Sequence, residues 1–216
     1  MATANLETEQ SLVQPGQLLG GVDEVGRGAL AGPVVVGIVV VDPHSCGQVP
    51  PGLTDSKLLS PKRRRELVPL IHDWALHVGI GEASAADIDE VGIMTALALA
   101  AQRAMLDIDS RCHAFLLDGS TNWLDRSIAF RAARTSTKVK ADVTCAAVAA
   151  ASVVAKVHRD ALMVSVASDY PEYGWQGNKG YASADHRAAI EAHGPTEMHR
   201  LSWRLLPEDP EPTLFD

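Results

Sequence analysis

LGGVDEVGRGALAGPVVVGIVVV, residues 19–41, holds two apolar, β-branched runs at 19–25 and 34–41, separated by a glycine-rich turn that closes on Pro33. Short apolar runs bounded by glycine and proline read as buried strands, and one turn between them predicts a hairpin. Near the end of the first run stand Asp23 and Glu24. Adjacent side chains of a regular strand point to opposite faces, so a shared site for both acids requires the chain to bend there. Gly26 and Gly28 follow at once and permit a bulge or tight turn. Two solvated carboxylates at a surface strand end would leave the same local pattern. A dinucleotide-binding loop would not, because the Gly-x-x-Gly helix opening is missing.

Working outward, a third strand is expected around 75–82, and residues 54–59 read as a polar loop. Ser60-Pro61 is an N-cap followed by proline at the first helical position, and Pro69 should end or kink that helix. Ser84 and Asp87 have capping-box spacing at the start of a helix over 84–90, and the Ala- and Leu-rich stretch 92–107 predicts another. Residues 113–117 form a short apolar strand that ends on Asp118, and 128–133 read as a further strand. One long helix is expected after Asp142, to about residue 167, buried on much of its circumference. Residues 171–183 read as a loop rich in glycine and aromatics, and 185–193 as the last helix. Residues 1–17 read as a flexible arm and 207–216, with three prolines and four acids, as a disordered acidic tail. Strands first, then strands alternating with helices, then helices, predict an α/β domain over 18–206: a mixed sheet flanked by helices, with a C-terminal helical part.

Composition bounds what this domain does. With 216 residues, 46% hydrophobic and 21% charged, the chain matches a soluble globular protein. Its longest apolar runs fall short of the roughly 20 residues that a membrane span needs. The N-terminus carries Glu7 and Glu9 without the basic and apolar order of a signal peptide, so the cytoplasm is the expected location. Cys46, Cys112 and Cys145 are scattered and odd in number, which argues against a disulfide framework or a zinc site. The net charge of -8 is unfavourable for a phosphate-gripping protein. However, six of the 27 acids lie in residues 1–20 and 207–216, which hold no Lys or Arg, leaving 21 acids against 19 bases between them. A local basic groove is compatible with that balance.

Two further acids occupy element ends. Asp118 closes an apolar strand before Gly119, where a turn aspartate is the plain alternative, and Asp142 stands at the mouth of the long helix, where an N-cap is the alternative. Four carboxylates converging from element ends would suit hard, oxygen-seeking cations such as Mg²⁺ or Mn²⁺.

The octet GVDEVGRG at 21–28 is more specific. It resembles the signature of ribonuclease HII, the type 2 ribonuclease H. Further matches follow in family order: TDSKLLS at 54–60, LLDG at 116–119, KAD at 140–142, AASVVAKVHRD at 150–160, NKGY at 178–181 and GPTEMHRLSW at 194–203. The resemblance implies a ribonuclease H-like fold and an endonuclease that cuts RNA in RNA-DNA hybrids and nicks duplex DNA 5′ to embedded ribonucleotides, leaving a 3′-hydroxyl and a 5′-phosphate. It assigns metal binding and catalysis to Asp23, Glu24, Asp118 and Asp142, holding two Mg²⁺ or Mn²⁺ ions. It assigns reading of the ribose 2′-hydroxyl to Gly26, Arg27 and Gly28, and stacking on the adjacent deoxyribose to Tyr181.

Lys57, Lys156 and Lys179 are candidate phosphate contacts, as are Lys138, Lys140 and Arg159, and the basic run 62–65 favours binding because it opposes the helix dipole. Asp160 competes with Asp142 for the fourth acid. If one helix joins them, their separation is about 27 Å at 1.5 Å per residue, so both cannot serve one metal pair. Asp160 lies four residues after Lys156, which suits a helical ion pair, and Asp142 is preferred. His186, His193 and His199 lack zinc spacing. Rival readings are a hybrid-binding module without catalysis, or another ribonuclease H-like nuclease such as a junction resolvase. The short N-terminus favours type 2 over type 3. A monomer is expected, and Leu214-Phe215 suggests a contact with a replication sliding clamp.

Overall fold

The two runs form the expected hairpin. In the computed structural model, which describes residues 4–206, strand β1 (Leu19–Val25) pairs antiparallel with β2 (Val34–Val41) in unbroken register from Leu19↔Val41 to Val25↔Val35. All eight residues of β2 are buried, the pattern of a strand covered on both faces, and each fully buried Val or Ile contributes about 1.5–3 kcal/mol. The third strand forms as expected, as β3 (His77–Ala83), and lies outside β2, while β4 (Ala114–Asp118) and β5 (Arg134–Lys138) extend the other side, both parallel to β1. The order β3-β2-β1-β4-β5 makes a mixed five-stranded sheet.

The helices are α1 (Glu7–Leu12), α2 (Pro61–Trp74), α3 (Ala85–Val91), α4 (Ile93–Ala104), α5 (Ala141–Thr144), α6 (Ala146–Val166), α7 (Trp175–Asn178) and α8 (Ala184–His193). One core lies between the sheet and α6 with α2, and a second between the sheet and α4. Helix α6 opens with six residues of which five are alanine, and its seat on β1 is tight: a Cβ on Gly21 would stand 2.3 Å from the Ala147 carbonyl carbon. No other residue at position 21 keeps α6 this close. The helix caps expected at Ser60 and Ser84 form, the latter as a reciprocal capping box with Asp87. Among the described residues no helix is long and apolar enough to cross a membrane.

Several expectations change. The N-terminal segment is packed: Ala4 and Val13 are buried, α1 forms, and Asn5 bridges Cys145. The Glu9 carboxylate accepts the Ala147 N–H at 2.9 Å and so caps α6, whose own N-cap residue, Cys145, makes no side-chain capping bond. The long helix is two helices, because Cys145 is extended and its neighbours bond to Asn5 through Asn5 N–H to Thr144 O and Ala146 N–H to Asn5 O. Pro69 does not end α2, which continues to Trp74. The carbonyl orphaned by the missing N–H belongs to Arg65, on the exposed face, where an unpaired carbonyl costs little because solvent reaches it.

Residues 128–133 are not a strand but a 3₁₀ turn at Ile128–Phe130 and the approach to β5. That polar edge strand, RTSTK, has no apolar run to reveal it. Residues 171–183 are a folded unit rather than a loop, with a 3₁₀ turn at Pro171–Tyr173, then α7, and a small core of Leu30, Ala31, Met163, Tyr173, Trp175 and Ile190. The acidic tail at 207–216, with Leu214 and Phe215, lies outside the described residues.

Candidate active site

Register alone brings three groups level. Strand β1 pairs with β4 as far as Val22↔Leu117, so one step on Asp23 stands beside Asp118, which is itself paired with Lys138 of β5. Pairing of β1 with β4 ends there, while pairing with β2 continues to Val25↔Val35. No bulge separates Asp23 from Glu24, contrary to expectation; the bend comes after Val25, at Gly26, with φ +83°. Because β1 outruns β4, acids on its two faces both reach past the end of the shorter strand. Asp23 shares the face of Gly21, under α6, and Glu24 meets Arg27 at 3.3 Å.

Asp142 enters from the first turn of α5, which is fixed to Asp118: the Ala141 N–H donates to Asp118 Oδ1 at 2.8 Å, and the Asp142 N–H at 3.4 Å. The four acids feel one another. Burial, then the charge of Glu24, pushes Asp23 well above the usual carboxylate range, with Asp118 and Asp142 adding to it and a Ser152 hydrogen bond opposing. Burial and then Asp118 and Asp55 raise Asp142 to about 6. Glu24 is also raised, by burial, against the pull of Arg27. Asp55, which sequence reading passed over inside its TDSKLLS match, is a fifth acid here, buried like Asp23 and Asp142. Lys57 answers them with its Nζ 3.7 Å from Asp142 and 3.9 Å from Asp55, and although burial opposes it, these charges raise its pKa.

Among the described residues no group of three or more His, Cys, Asp or Glu side chains stands ready to hold a metal ion. The donor set nonetheless fits a hard divalent cation: oxygen only, mutually repelling, and displaced toward protonation by a field that a bound cation would reverse. Asp160 has no part in this cluster, since it pairs with Lys156 at 2.6 Å and Arg64 at 3.9 Å.

The Gly26-Arg27-Gly28 segment lies beside the acids and is held from beneath by two arginines that are wholly buried. Arg200 donates to the carbonyls of Gly26 (2.6 Å), Arg27 (2.8 Å) and Gly32 (3.1 Å). Arg159 donates to Pro33, Ala31 and Lys179, which removes it from the candidate phosphate contacts. Gly26 is demanded by the fold, because a Cβ there would stand 2.1 Å from Arg159 Nε and its φ is positive. Gly28 is not: its Cβ would meet nothing in the protein. The Tyr181 hydroxyl accepts the Gly26 N–H at 3.2 Å, and its ring has Arg159 Cζ 5.3 Å and Lys156 Nζ 5.8 Å from its centroid.

A cleft of about 630 Å³ continues from Tyr181 between Arg64, Arg65, Lys156 and Lys179. Of the other candidate cations, Lys138 turns back to Thr8 at 2.8 Å, Lys179 bonds the Gln176 carbonyl, and Lys140 is exposed in a left-handed conformation. Arg200 escaped sequence reading because an arginine in a polar stretch carries no mark of burial.

Comparison with known proteins identifies the family and the fold. A family model described as Ribonuclease HII matches residues 20–206. A ribonuclease HII of Streptomyces griseus subsp. griseus is 47% identical over 189 residues, covering 86% of this chain and 77% of its own length. Among solved structures, the ribonuclease H2 from Pyrococcus horikoshii OT3 superposes with a TM-score of 0.70 at 25% identity, covering 88% of this chain and 95% of that one. The RNase HII of the PCNA:RNase HII complex from Archaeoglobus fulgidus shares the fold, with a TM-score of 0.70 at 24% identity over 89% of this chain and 98% of its own.

Proposed function

Since the chain belongs to the ribonuclease HII family, and is thus an endoribonuclease of the ribonuclease H type, we propose that it cuts the RNA strand of RNA-DNA hybrids and nicks duplex DNA 5′ to embedded ribonucleotides, serving ribonucleotide removal. The observation that carries this reading is the pairing of an acid cluster with a glycine the fold does not require. Gly28 faces open space beside a loop locked in place, which leaves its main chain open to the close approach of a ligand.

In this reading Asp23, Glu24, Asp118 and Asp142 hold Mg²⁺ or Mn²⁺. Such cations, when bound in a pair, supply activation of the attacking water and neutralisation of the leaving 3′-oxygen. The chain's own residues do the rest. Gly26, Arg27 and Gly28 contact the 2′-hydroxyl, the group that separates RNA from DNA. Tyr181 stacks on the neighbouring deoxyribose and aligns the scissile phosphate. Lys57 stands over the acids on a largely exposed side chain, while Lys156 and Lys179 meet phosphates along the cleft after releasing Asp160 and Gln176. The products carry a 3′-hydroxyl and a 5′-phosphate. The enzyme acts as a cytoplasmic monomer, and Leu214-Phe215 docks on a sliding clamp. Equal clamp binding by chains with and without residues 207–216 would remove that last element.

The deciding assay incubates a labelled duplex containing one ribonucleotide with Mg²⁺ or Mn²⁺ and maps the cut. A single nick 5′ to the ribonucleotide, abolished in Asp23→Asn, is expected. Binding without cleavage would support a non-catalytic module, and cleavage indifferent to the ribose would support another nuclease of this fold.

A further inference from the structure

Two histidines left without a role by the mechanism are buried beneath Tyr181. His186 of α8 is fully buried and His199, just before Arg200, is 1% exposed. Their protons follow from their partners. The Trp175 indole N–H can only donate and points at His186 Nε2 (3.0 Å), so that nitrogen is bare. The Thr196 backbone N–H points at His199 Nδ1 (2.9 Å), so that nitrogen is bare too. His199 therefore carries its proton on Nε2, 3.1 Å from His186 Nε2, and His186 carries its own on Nδ1. That last proton faces the Tyr181 carbonyl at 2.9 Å, an oxygen that can only accept. The chain closes only with both rings neutral and one tautomer each. Burial pushes His186 below the usual histidine range, and burial together with His186 takes His199 to about 4.

The pair touches both halves of the loop that the proposed function makes the ribose reader. Through His186 it holds the main chain of Tyr181, whose hydroxyl lies on Gly26. Through His199 it borders Arg200, which holds the Gly26 and Arg27 carbonyls. We propose that His186, fixed in the Nδ1–H tautomer by Trp175 and His199, is a positioning residue that sets Tyr181 against the Gly26–Gly28 loop. The proposal rests on the reading of Tyr181 as a substrate contact. An aliphatic residue would fill the same space but would aim nothing at the Tyr181 carbonyl.

Two measurements on the full chain test it. With ¹⁵N-labelled histidine, two-bond ¹H–¹⁵N correlation at about pH 6 should show His186 neutral and protonated on Nδ1 and His199 neutral and protonated on Nε2, whereas a free histidine is substantially charged there. The opposite tautomer, or a charged ring, would overturn the proposal whether or not the protein nicks ribonucleotides. For activity, His186→Asn keeps a donor near the Nδ1 position, and its kcat/KM on a single-ribonucleotide duplex should stay within about threefold of wild type. His186→Leu should lose about tenfold or more, and less than about twofold further when added to Tyr181→Ala, because both changes remove one effect. Additive losses, or equal losses in the Asn and Leu variants, would reject the positioning role. Should His186→Leu not fold, His186→Gln replaces it, since its longer amide reaches the Nε2 partners and leaves the Tyr181 carbonyl. If the wild type makes no nick, the function fails and the tautomers alone decide this inference.

Discussion

The acid cluster and the loop beside it are built on opposite principles. Asp23, Glu24, Asp118 and Asp142 raise one another's cost: they are drawn from three elements into a half-buried space, with Arg27 paired to Glu24 and Lys57 to Asp142 at the surface. The Gly26–Gly28 loop is tied down, the Gly26 and Arg27 carbonyls by Arg200, the Gly26 N–H by Tyr181, and these supports in turn by a closed histidine chain. One region is unstable until something positive arrives. The other is rigid before anything arrives. A site that must discriminate a single hydroxyl gains from pre-organised contacts, whereas a site that holds cations gains from uncompensated charge.

The largest expected effect tests the strained half. Asp23→Asn should lower nicking by about a hundredfold or more while raising Tm by about 2–4 °C in metal-free buffer at neutral pH, since it removes a buried charge along with its function. Added Mg²⁺ should raise the Tm of wild type by mass action and leave the variant unmoved. A variant that loses activity and stability together would mean that the acids are not in conflict.

Next, Arg200→Met should cost about 3 kcal/mol or more, because the Gly26, Arg27 and Gly32 carbonyls lose their donor in a buried place. Denaturant unfolding measures this, and an unchanged midpoint would show that the loop is not locked from beneath.

Two alanine substitutions then split the loop. Gly26→Ala should damage both folding and activity. Gly28→Ala should leave Tm within about 1 °C, because an added methyl meets no protein atom, yet raise KM for a ribonucleotide-containing duplex by about tenfold. Equal KM in wild type and Gly28→Ala would sever that glycine from the ribose.

The smallest effect concerns the N-terminal strap. Burial raises Glu9 to about 7, so the folded state holds its proton more tightly than the unfolded chain. Stability from this group is therefore greatest below about pH 4.5 and declines as pH rises through about 7. Between those values the Tm of wild type should fall more steeply than that of Glu9→Gln, which keeps an acceptor for Ala147. Parallel curves would show that Glu9 does not titrate there.

What the residues announced in advance was whatever depends on local chemistry. The hairpin at 19–41, the caps at Ser60 and Ser84 and the Asp at the end of β4 each follow from a few neighbouring residues, and the ordered motifs named the family. Physics alone left Asp23 and Glu24 ambiguous, because a strand sends neighbours to opposite faces. Only the assembled sheet resolves that pair, through the unequal ends of β1 and β4.

The same holds for the features sequence reading missed. Glu9 and Arg200 are charged residues whose burial depends on partners 138 and 174 positions away along the chain, at Ala147 and Gly26, and Asp55 is buried within the field of Asp142, 87 positions away. The break at Cys145 likewise requires Asn5 to arrive beside it. The sequence by itself determined the hairpin, β3, β4 and the family, and marked the candidate acids, since these are properties of short stretches. The tertiary structure decided which acids share a field, which arginine supports the loop and which tautomer each histidine adopts. Those depend on where distant chain segments meet, and no local pattern encodes it.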